Sequence, residues 1–234
     1  TGEDTLSLHD ALPIFFSWPH PLLAQNTEEN AKQWGNLSLR GPFLKTNPKL
    51  IYLIDAQTRY HFDPNTLETG LLRAGLGWKL KSNLSTWFGY QWSSHNLLTG
   101  TKQTNLIWHQ LLWQALKKER ITLTNQSRIE ARARQEQAQW NIRLRQLDVI
   151  EFPNTFSKKF HPAFWNEIFV NFNKPAWVTQ NTIDQNRAFA GINIWISSNS
   201  FLYLGYMNQY EFRKTNNQNN NIFLVSYFLN TKNI

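Results

Sequence analysis

Polar side chains that could bind a metal or perform catalysis are widely scattered along this chain. Six histidines occur far apart in the sequence and show no metal-ligand spacing: His9, His20, His61, His95, His109 and His161. The chain has no cysteine, which excludes disulfides, thiolate metal ligands and cysteine nucleophiles. We therefore expect neither a metal site nor a cofactor.

One set of residues could in principle form a lipid-hydrolysing triad. His109 would be the base, Ser93 or Ser94 the nucleophile, and Glu130 the acid that orients the base. No nucleophile motif surrounds either serine. We interpret His109 as an amphipathic strand residue beside Trp108 and expect no enzymatic activity. A lipid-modifying enzyme is kept as an alternative.

Arginine is concentrated in the stretch "RIEARARQEQAQWNIRLRQ", residues 128–146, which lies between apolar segments. From Ile121 to Ala133 the odd positions are mainly apolar or small, whereas the even positions are polar. The alternation returns at Trp140, after "QEQA". A period of two indicates β-strands, because a helix would scatter these apolar residues around its circumference. Two adjacent strands then place five arginines and Glu130 on one face: Arg128, Arg132, Arg134, Arg143 and Arg145.

The same alternation occurs in about eleven segments, each near the ~10 residues that a tilted strand needs to cross an outer membrane. Bacterial barrels usually have an even number of strands. We therefore predict an all-β fold, a single antiparallel up-and-down transmembrane β-barrel of about 12 strands, with ten as the fallback. Six prolines are expected between strands, where they interrupt no ladder: Pro42, Pro48, Pro64, Pro153, Pro162 and Pro175.

Composition indicates which face of the barrel is outside. Aromatic residues make up 15% of the chain and include 11 tryptophans, a residue that membrane interfaces favour. A small lumen would be overfilled by so many rings, since each buries about 150–250 Å². We therefore expect apolar residues to face lipid and arginines to face the lumen. The net charge of +8 would also suit a basic soluble protein that binds nucleic acid, which is a second alternative.

The inward charges could serve in either of two ways. A ladder of arginine would make a narrow passage selective for a small anionic solute. Alternatively, arginines and carboxylates could form a hydrogen-bonded plug, which we favour because a barrel of this size has little spare room for water. The predicted lumen network consists of Arg128, Glu130, Arg132, Arg134, Arg143, Arg145, Glu167 and Arg187.

Several segments resemble an outer-membrane barrel family known as domain of unknown function 2490. They are "DAQTR", "FGYQW", "RIEARAR" with "RLR", "NEIFVN", "DQNRAFAGI" and "YLGYMNQ", and they span most of the chain from Trp34 to Phe228. The resemblance implies a barrel and its location, the bacterial outer membrane. It implies no activity. We expect outer-membrane lipid around the barrel and no nucleic-acid partner. The predicted fifth strand, "TNLIWHQL", lacks a Glu and an Arg expected for the family.

The first residues differ in character from the barrel segments. Residues 1–14 contain "TLSLHDALPI", which looks like the translation of a sequencing adaptor. Residues 15–25 resemble the remnant of a secretory signal peptide, with cleavage after Ala24. We therefore assign the barrel domain to residues 33–230.

Overall fold

The computed structural model describes residues 27–44, 46–62, 66–97 and 100–231. The proposed adaptor and signal segments lie outside these residues. The described part forms one closed barrel of eleven strands. The strands are β1 (Thr27–Leu44), β2 (Asn47–His61), β3 (Thr66–Lys81), β4 (Leu84–Leu97), β5 (Gly100–Lys117), β6 (Thr122–Arg134), β7 (Asn141–Glu151), β8 (Phe160–Asn171), β9 (Ile183–Trp195), β10 (Ser200–Glu211) and β11 (Asn217–Asn230). Among the described residues, no helix is long and apolar enough to cross a membrane.

The predicted all-β barrel is confirmed, and its strand count falls between the expected twelve and the fallback of ten. Consecutive strands pair in antiparallel fashion, but β1 and β11 pair in parallel, from Thr27 opposite Asn217 to Arg40 opposite Asn230. An odd number of up-and-down strands makes this unavoidable, because the first and last strands then run in the same direction. The expectation of a wholly antiparallel barrel is therefore corrected at this one seam.

The two ends of the barrel are defined by the ends of β1 and β11. Both strands begin at what we call the N-terminal rim and finish at the C-terminal rim. The C-terminal rim contains the short turns "KSN", "KKER" and "SSNS" and the longer 152–159 connection. The "QEQA" turn and the long 172–182 connection lie at the N-terminal rim.

The outer face of the wall is apolar around the barrel. Leu72, Phe88 and Ile107 are 55%, 66% and 53% exposed, although each lies within a strand. Their sequence neighbours face the lumen, because successive side chains point to opposite faces of a strand. Ile129, half exposed, accordingly lies between the buried Arg128 and Glu130. The arrangement of apolar outer wall and inward arginines follows the predicted pattern.

The lumen also contains large apolar side chains, which the sequence interpretation placed mainly outside. One cluster includes Trp34 and Phe189, and another includes Trp87 and Trp108. Glycines of neighbouring strands make room for these rings. A Cβ added at Gly89 would lie 2.2 Å from the Trp108 indole. The aromatic content is thus shared between the two faces of the wall.

Three of the prolines lie inside strands, contrary to expectation. Pro42 is in β1 beside a register shift, Pro48 is in β2, and Pro162 is in β8. Each lies within three residues of a strand end at the C-terminal rim. Proline is tolerated in a strand at a first residue or a bulge. The strands extend beyond the apolar segments from which they were predicted, so they include these prolines.

Candidate functional site

The inward arginines are aligned by the register of neighbouring strands. In the β6–β7 pair, Arg128 lies opposite Arg145, and Glu130 opposite Arg143. In the β8–β9 pair, Glu167 lies opposite Arg187. Directly opposite residues of an antiparallel pair share one face of the sheet. The register therefore brings cations and carboxylates from four consecutive strands together in the lumen.

Glu130 is the centre of this network and is 1% exposed. Its Oε2 atom accepts hydrogen bonds from Nε and Nη2 of Arg143, at 3.0 and 2.5 Å. Its Oε1 atom lies 3.7 Å from Nη1 of Arg145 and 3.8 Å from Nη1 of Arg128. One buried carboxylate is thus shared by three guanidinium groups. A buried charge is costly unless it is paired in this way.

Two further carboxylates extend the network around the barrel. Glu167 accepts from Arg145, and its other oxygen lies 3.0 Å from Nη1 of Arg187. Asp184 lies 2.5 Å from Nη1 of Arg143 and 3.6 Å from Nη2 of Arg132. Five arginines and three carboxylates therefore form a continuous chain of ion pairs across β6, β7, β8 and β9.

Aromatic rings support the guanidinium groups in the lumen. The guanidinium carbons of Arg143 and Arg187 lie 4.5 and 4.7 Å from the Phe169 ring centre, and that of Arg145 lies 5.3 Å away. Arg128 lies 4.4 Å from the Trp108 ring. Cation–π contacts strengthen when the groups are removed from water. The lumen rings therefore stabilise the arginines that the carboxylates leave incompletely paired.

The network extends to the N-terminal rim through amide side chains. Arg132 donates from Nε and Nη2 to Oδ1 of Asn141, at 2.8 and 2.5 Å. Asn141 in turn donates to Asn171 and to the backbone of Asn173. The 172–182 connection places Trp177 over Arg132, 5.5 Å from its guanidinium carbon. This half of the lumen is filled by buried polar side chains.

Seven of the eight residues predicted for the lumen network lie together. Arg134 does not join them: it lies near the N-terminal rim opposite Thr104, and within the described residues it forms no ion pair. Asp184 was not predicted. The lumen-facing residues of β9 have odd numbers, but a register shift in the β8–β9 pair leaves Asp184 without a partner on β8, and its side chain turns into the lumen. Gln110 was also missed. It accepts two hydrogen bonds from Arg128, at 2.8 and 2.5 Å.

A cavity of about 360 Å³ remains on the C-terminal-rim side of the network. Seven arginines and four acidic residues line it, which gives the lining a formal charge of +3. Leucine side chains and aromatic rings complete the wall. The lumen is thus packed in one half and hollow in the other.

The residues of the hypothetical triad are not brought together. His109 lies on the outer face, stacked on Phe88 at 4.4 Å, with its Nε2 atom 2.8 Å from the Thr86 hydroxyl. Glu130 faces the lumen. Ser93 also faces the lumen, where its hydroxyl donates to the Thr104 carbonyl at 3.3 Å. In the part of the chain that the structure describes, no group of three or more His, Asp or Glu side chains could hold a metal ion.

A closed barrel with an apolar outer wall and a charged lumen is the architecture of outer-membrane barrel proteins. The sequence profile of one family matches residues 31–220, and its description is "Protein of unknown function (DUF2490)". The chain belongs to this family, which confirms the resemblance found in its motifs.

Comparison with individual proteins gives one uncharacterised relative and two solved barrels. A protein of Methylorubrum extorquens is 24% identical over 185 residues, which cover 77% of this chain and 78% of that protein. A crystal structure of the NanC porin is similar with a TM-score of 0.46 and 12% identity, over 79% of this chain and 92% of that one. The siderophore receptor PirA from Pseudomonas aeruginosa gives a TM-score of 0.28 at 12% identity, over 74% of this chain and 32% of the receptor.

Proposed function

We propose that this protein spans the bacterial outer membrane as a barrel whose lumen is closed by the arginine network. The observation that carries the proposal is the opposite chemistry of the two faces of one wall. On β6, Ile129 is 50% exposed, whereas its neighbours Arg128 and Glu130 are 2% and 1% exposed. A water-soluble barrel would have the reverse arrangement. Contact with lipid makes the observed arrangement, with apolar side chains outside and charged side chains inside, favourable.

Strand length supports a membrane location. The strands are 11 to 18 residues long, whereas a tilted strand needs about 9–11 residues to cross the hydrocarbon core. Closure also leaves no strand edge exposed, because the parallel β1–β11 seam completes the ladder. Lipid can satisfy no backbone hydrogen bond, so a spanning sheet has to close in this way.

Packing of the N-terminal half favours a plug over an open pore. Lys32, Asn141, Gln209 and Asn220 face the lumen there and are 2%, 0%, 1% and 0% exposed. Together with the ion-pair network they fill the cross-section that a conducting pore would need. The function that the geometry supports best is that of a stiff, closed outer-membrane barrel.

Passage of a small anionic solute is the second candidate, and the +3 charge of the cavity lining favours it. Recordings of ionic current through the refolded protein in planar bilayers distinguish a plugged barrel from an anion passage. A plugged barrel gives no steady current, and a Glu130→Gln, Glu167→Gln double variant that loosens the plug opens more often. A persistent anion-selective current in the unmodified protein would contradict the plug and support passage.

We also propose that the protein has no enzymatic activity and no nucleic-acid partner. The outward position of His109 supports the first point, since no acid side chain accompanies it on that face of β5 or β6. A phospholipid and lipid A turnover assay checks it, with His109→Ala as the control. Salt-sensitive retention on DNA and recovery in the soluble fraction would contradict the second point.

A further inference from the structure

The cavity is a blind pocket that begins at the arginine network and extends towards the C-terminal rim. On β7, the lining runs from Arg143 to Glu151, the last residue of the strand. On β11, the lining residues lie between Leu224 and Phe228, again in the C-terminal half of the strand. Four buried polar side chains nearer the N-terminal rim do not line it: Lys32, Asn141, Gln209 and Asn220. Any molecule entering it would therefore come from the C-terminal rim.

The floor of this pocket carries more positive charge than its own carboxylates compensate. Arg59 lines it and stacks on Trp34, with its guanidinium carbon 3.9 Å from the ring centre. Gln57 accepts from Arg59 at 3.1 and 2.9 Å. Among the described residues, no carboxylate lies within ion-pair distance of Arg59 or Arg40, which both line the pocket. Positive charge is thus available for an incoming anion.

Several buried donors on the same lining have no hydrogen-bond acceptor among the described residues. They are Nη1 of Arg128, Nε of Arg187 and Nε1 of Trp34. These side chains are 2%, 7% and 4% exposed, so their donors are withdrawn from bulk water. A buried donor without an acceptor is unfavourable. These unpaired donors lie just behind the lining and leave the electrostatic potential of the pocket more positive, which favours an anion inside it.

The wall between this floor and the C-terminal rim is aromatic on one side. Phe201 and Phe228 are stacked at 4.8 Å, and Tyr203 packs edge-on against both. Trp165 lies on the same side, and all four rings line the pocket. Apolar and aromatic walls with a few convergent polar groups are typical of small-molecule sites.

We propose that this pocket binds one small organic anion, a carboxylate or phosphate group carried on a flat or apolar body. The anionic group lies towards Arg59, Arg128 and Arg187, and the apolar body lies against Phe201 and Phe228. The volume of about 360 Å³ is at the lower end of the ~300–1,000 Å³ of ligand sites. This excludes polymers as ligands of the pocket.

Isothermal titration of the refolded protein in non-ionic detergent tests the proposal with benzoate, phenyl phosphate, inorganic phosphate, benzyl alcohol and benzylamine. At least one of the two aromatic anions should bind, one molecule per barrel. The neutral alcohol, the amine and inorganic phosphate should each bind at least about tenfold more weakly. Absence of binding by both aromatic anions would overturn the proposal, as would equal affinity for the alcohol or for inorganic phosphate.

A matched pair of variants locates the site. Arg59→Gln removes a charge from the pocket and should weaken binding of the aromatic anion by about tenfold or more. Arg134→Gln removes the same charge outside the pocket and should leave the affinity unchanged. Arg59 is outside the ion-pair network, so its variant is expected to fold; Arg40→Gln replaces it if it does not. Equal affinities in the paired variants would overturn the assignment.

This inference goes beyond the closed barrel proposed above and fails separately from it. Steady conductance would refute the plug without affecting anion binding. Conversely, a silent barrel that binds neither aromatic anion would refute the pocket without affecting the plug.

Discussion

Arg143 donates from both Nε and Nη2 to one oxygen of Glu130, at 3.0 and 2.5 Å, across the β6–β7 pair. The remaining Nη1 of Arg143 is 2.5 Å from Asp184 on β9. A single guanidinium group therefore connects strands that are not neighbours in the wall. Such a connection across the lumen resists flattening of the barrel cross-section. Backbone hydrogen bonds between neighbouring strands do not provide this resistance by themselves.

Substitution of Glu130 is expected to destabilise the barrel severely. Glu130→Gln removes the charge shared by Arg128, Arg143 and Arg145 and leaves excess positive charge buried. Loss of one partner of a buried pair costs about 3–5 kcal/mol. The folded band on a gel should then unfold at a markedly lower temperature.

The control for this change is Glu136→Gln. Glu136 lies in the turn after β6, and its side chain is 62% exposed beside Lys102. Exposed ion pairs contribute about 0–1 kcal/mol, so this variant should unfold close to the unmodified protein. Similar shifts in both variants would show that Glu130 does not hold the lumen together.

Arg132→Ala should lower heat resistance to a smaller extent. It removes two hydrogen bonds to Asn141, and Asp184 retains Arg143 as its partner. Leaving a buried amide oxygen unsatisfied costs about 1–3 kcal/mol. Arg120→Ala, in an exposed turn at the C-terminal rim, is the control. An unchanged unfolding temperature for Arg132→Ala would count against the plug.

Gly89→Ala tests whether glycines make room for the indoles of the lumen. Its new Cβ would lie 2.2 Å from the Trp108 ring and 2.4 Å from the Ala74 carbonyl oxygen. Overpacking of this kind costs about 1–3 kcal/mol. Gly70→Ala is the matched control, since nothing lies within 4 Å of its added Cβ. Thermal unfolding in detergent should separate the variants, and equal stability would contradict the packing described for Trp108.

A charge on the outer wall should be tolerated only near a rim. Ile107→Lys places an ammonium group halfway along β5, where it is expected to cost about 2–4 kcal/mol in a bilayer. Gln103→Lys lies on the same face near the N-terminal rim and should cost about 0–1 kcal/mol. Folding yields in liposomes and in urea measure both. If Ile107→Lys folds as well as Gln103→Lys, the wall does not face hydrocarbon.

Much of the wall was predictable because alternation fixes which side chains share a face. The positions of Arg128, Glu130 and Arg143 followed from that period alone. The inward turn of Asp184 did not, because it depends on a register shift between two strands. Alternation indicated about eleven segments, and the usual even number of strands raised the prediction to twelve. The parallel seam was not predicted, because alternation carries no information on how the first and last strands meet.

The apolar content of the lumen was the other departure. Trp87 and Trp108 occupy inward positions next to the apolar outward residues Phe88 and Ile107, so local alternation could not distinguish the two faces. The space that these two indole rings occupy depends on glycines of nearby strands: Gly77 beside Trp87, and Gly75 and Gly89 beside Trp108. Contacts of this kind become visible only once strand pairing and register are known.

Apolar side chains of the wall are expected to contact lipid, while the arginine face encloses the lumen. Because the chain has no cysteine, single-cysteine spin labels can be introduced cleanly. The direct measurement is spin-label accessibility in liposomes at Ile107 and Ile129 on the outer wall, and at Thr124 and Gln126 on the cavity lining. Labels at the outer positions should be relaxed by lipid-dissolved oxygen and shielded from a water-soluble nickel complex, unlike those at the lumen positions. Equal accessibility on both faces, or oxygen contact confined to the lumen positions, would show that the apolar face of the wall does not contact lipid.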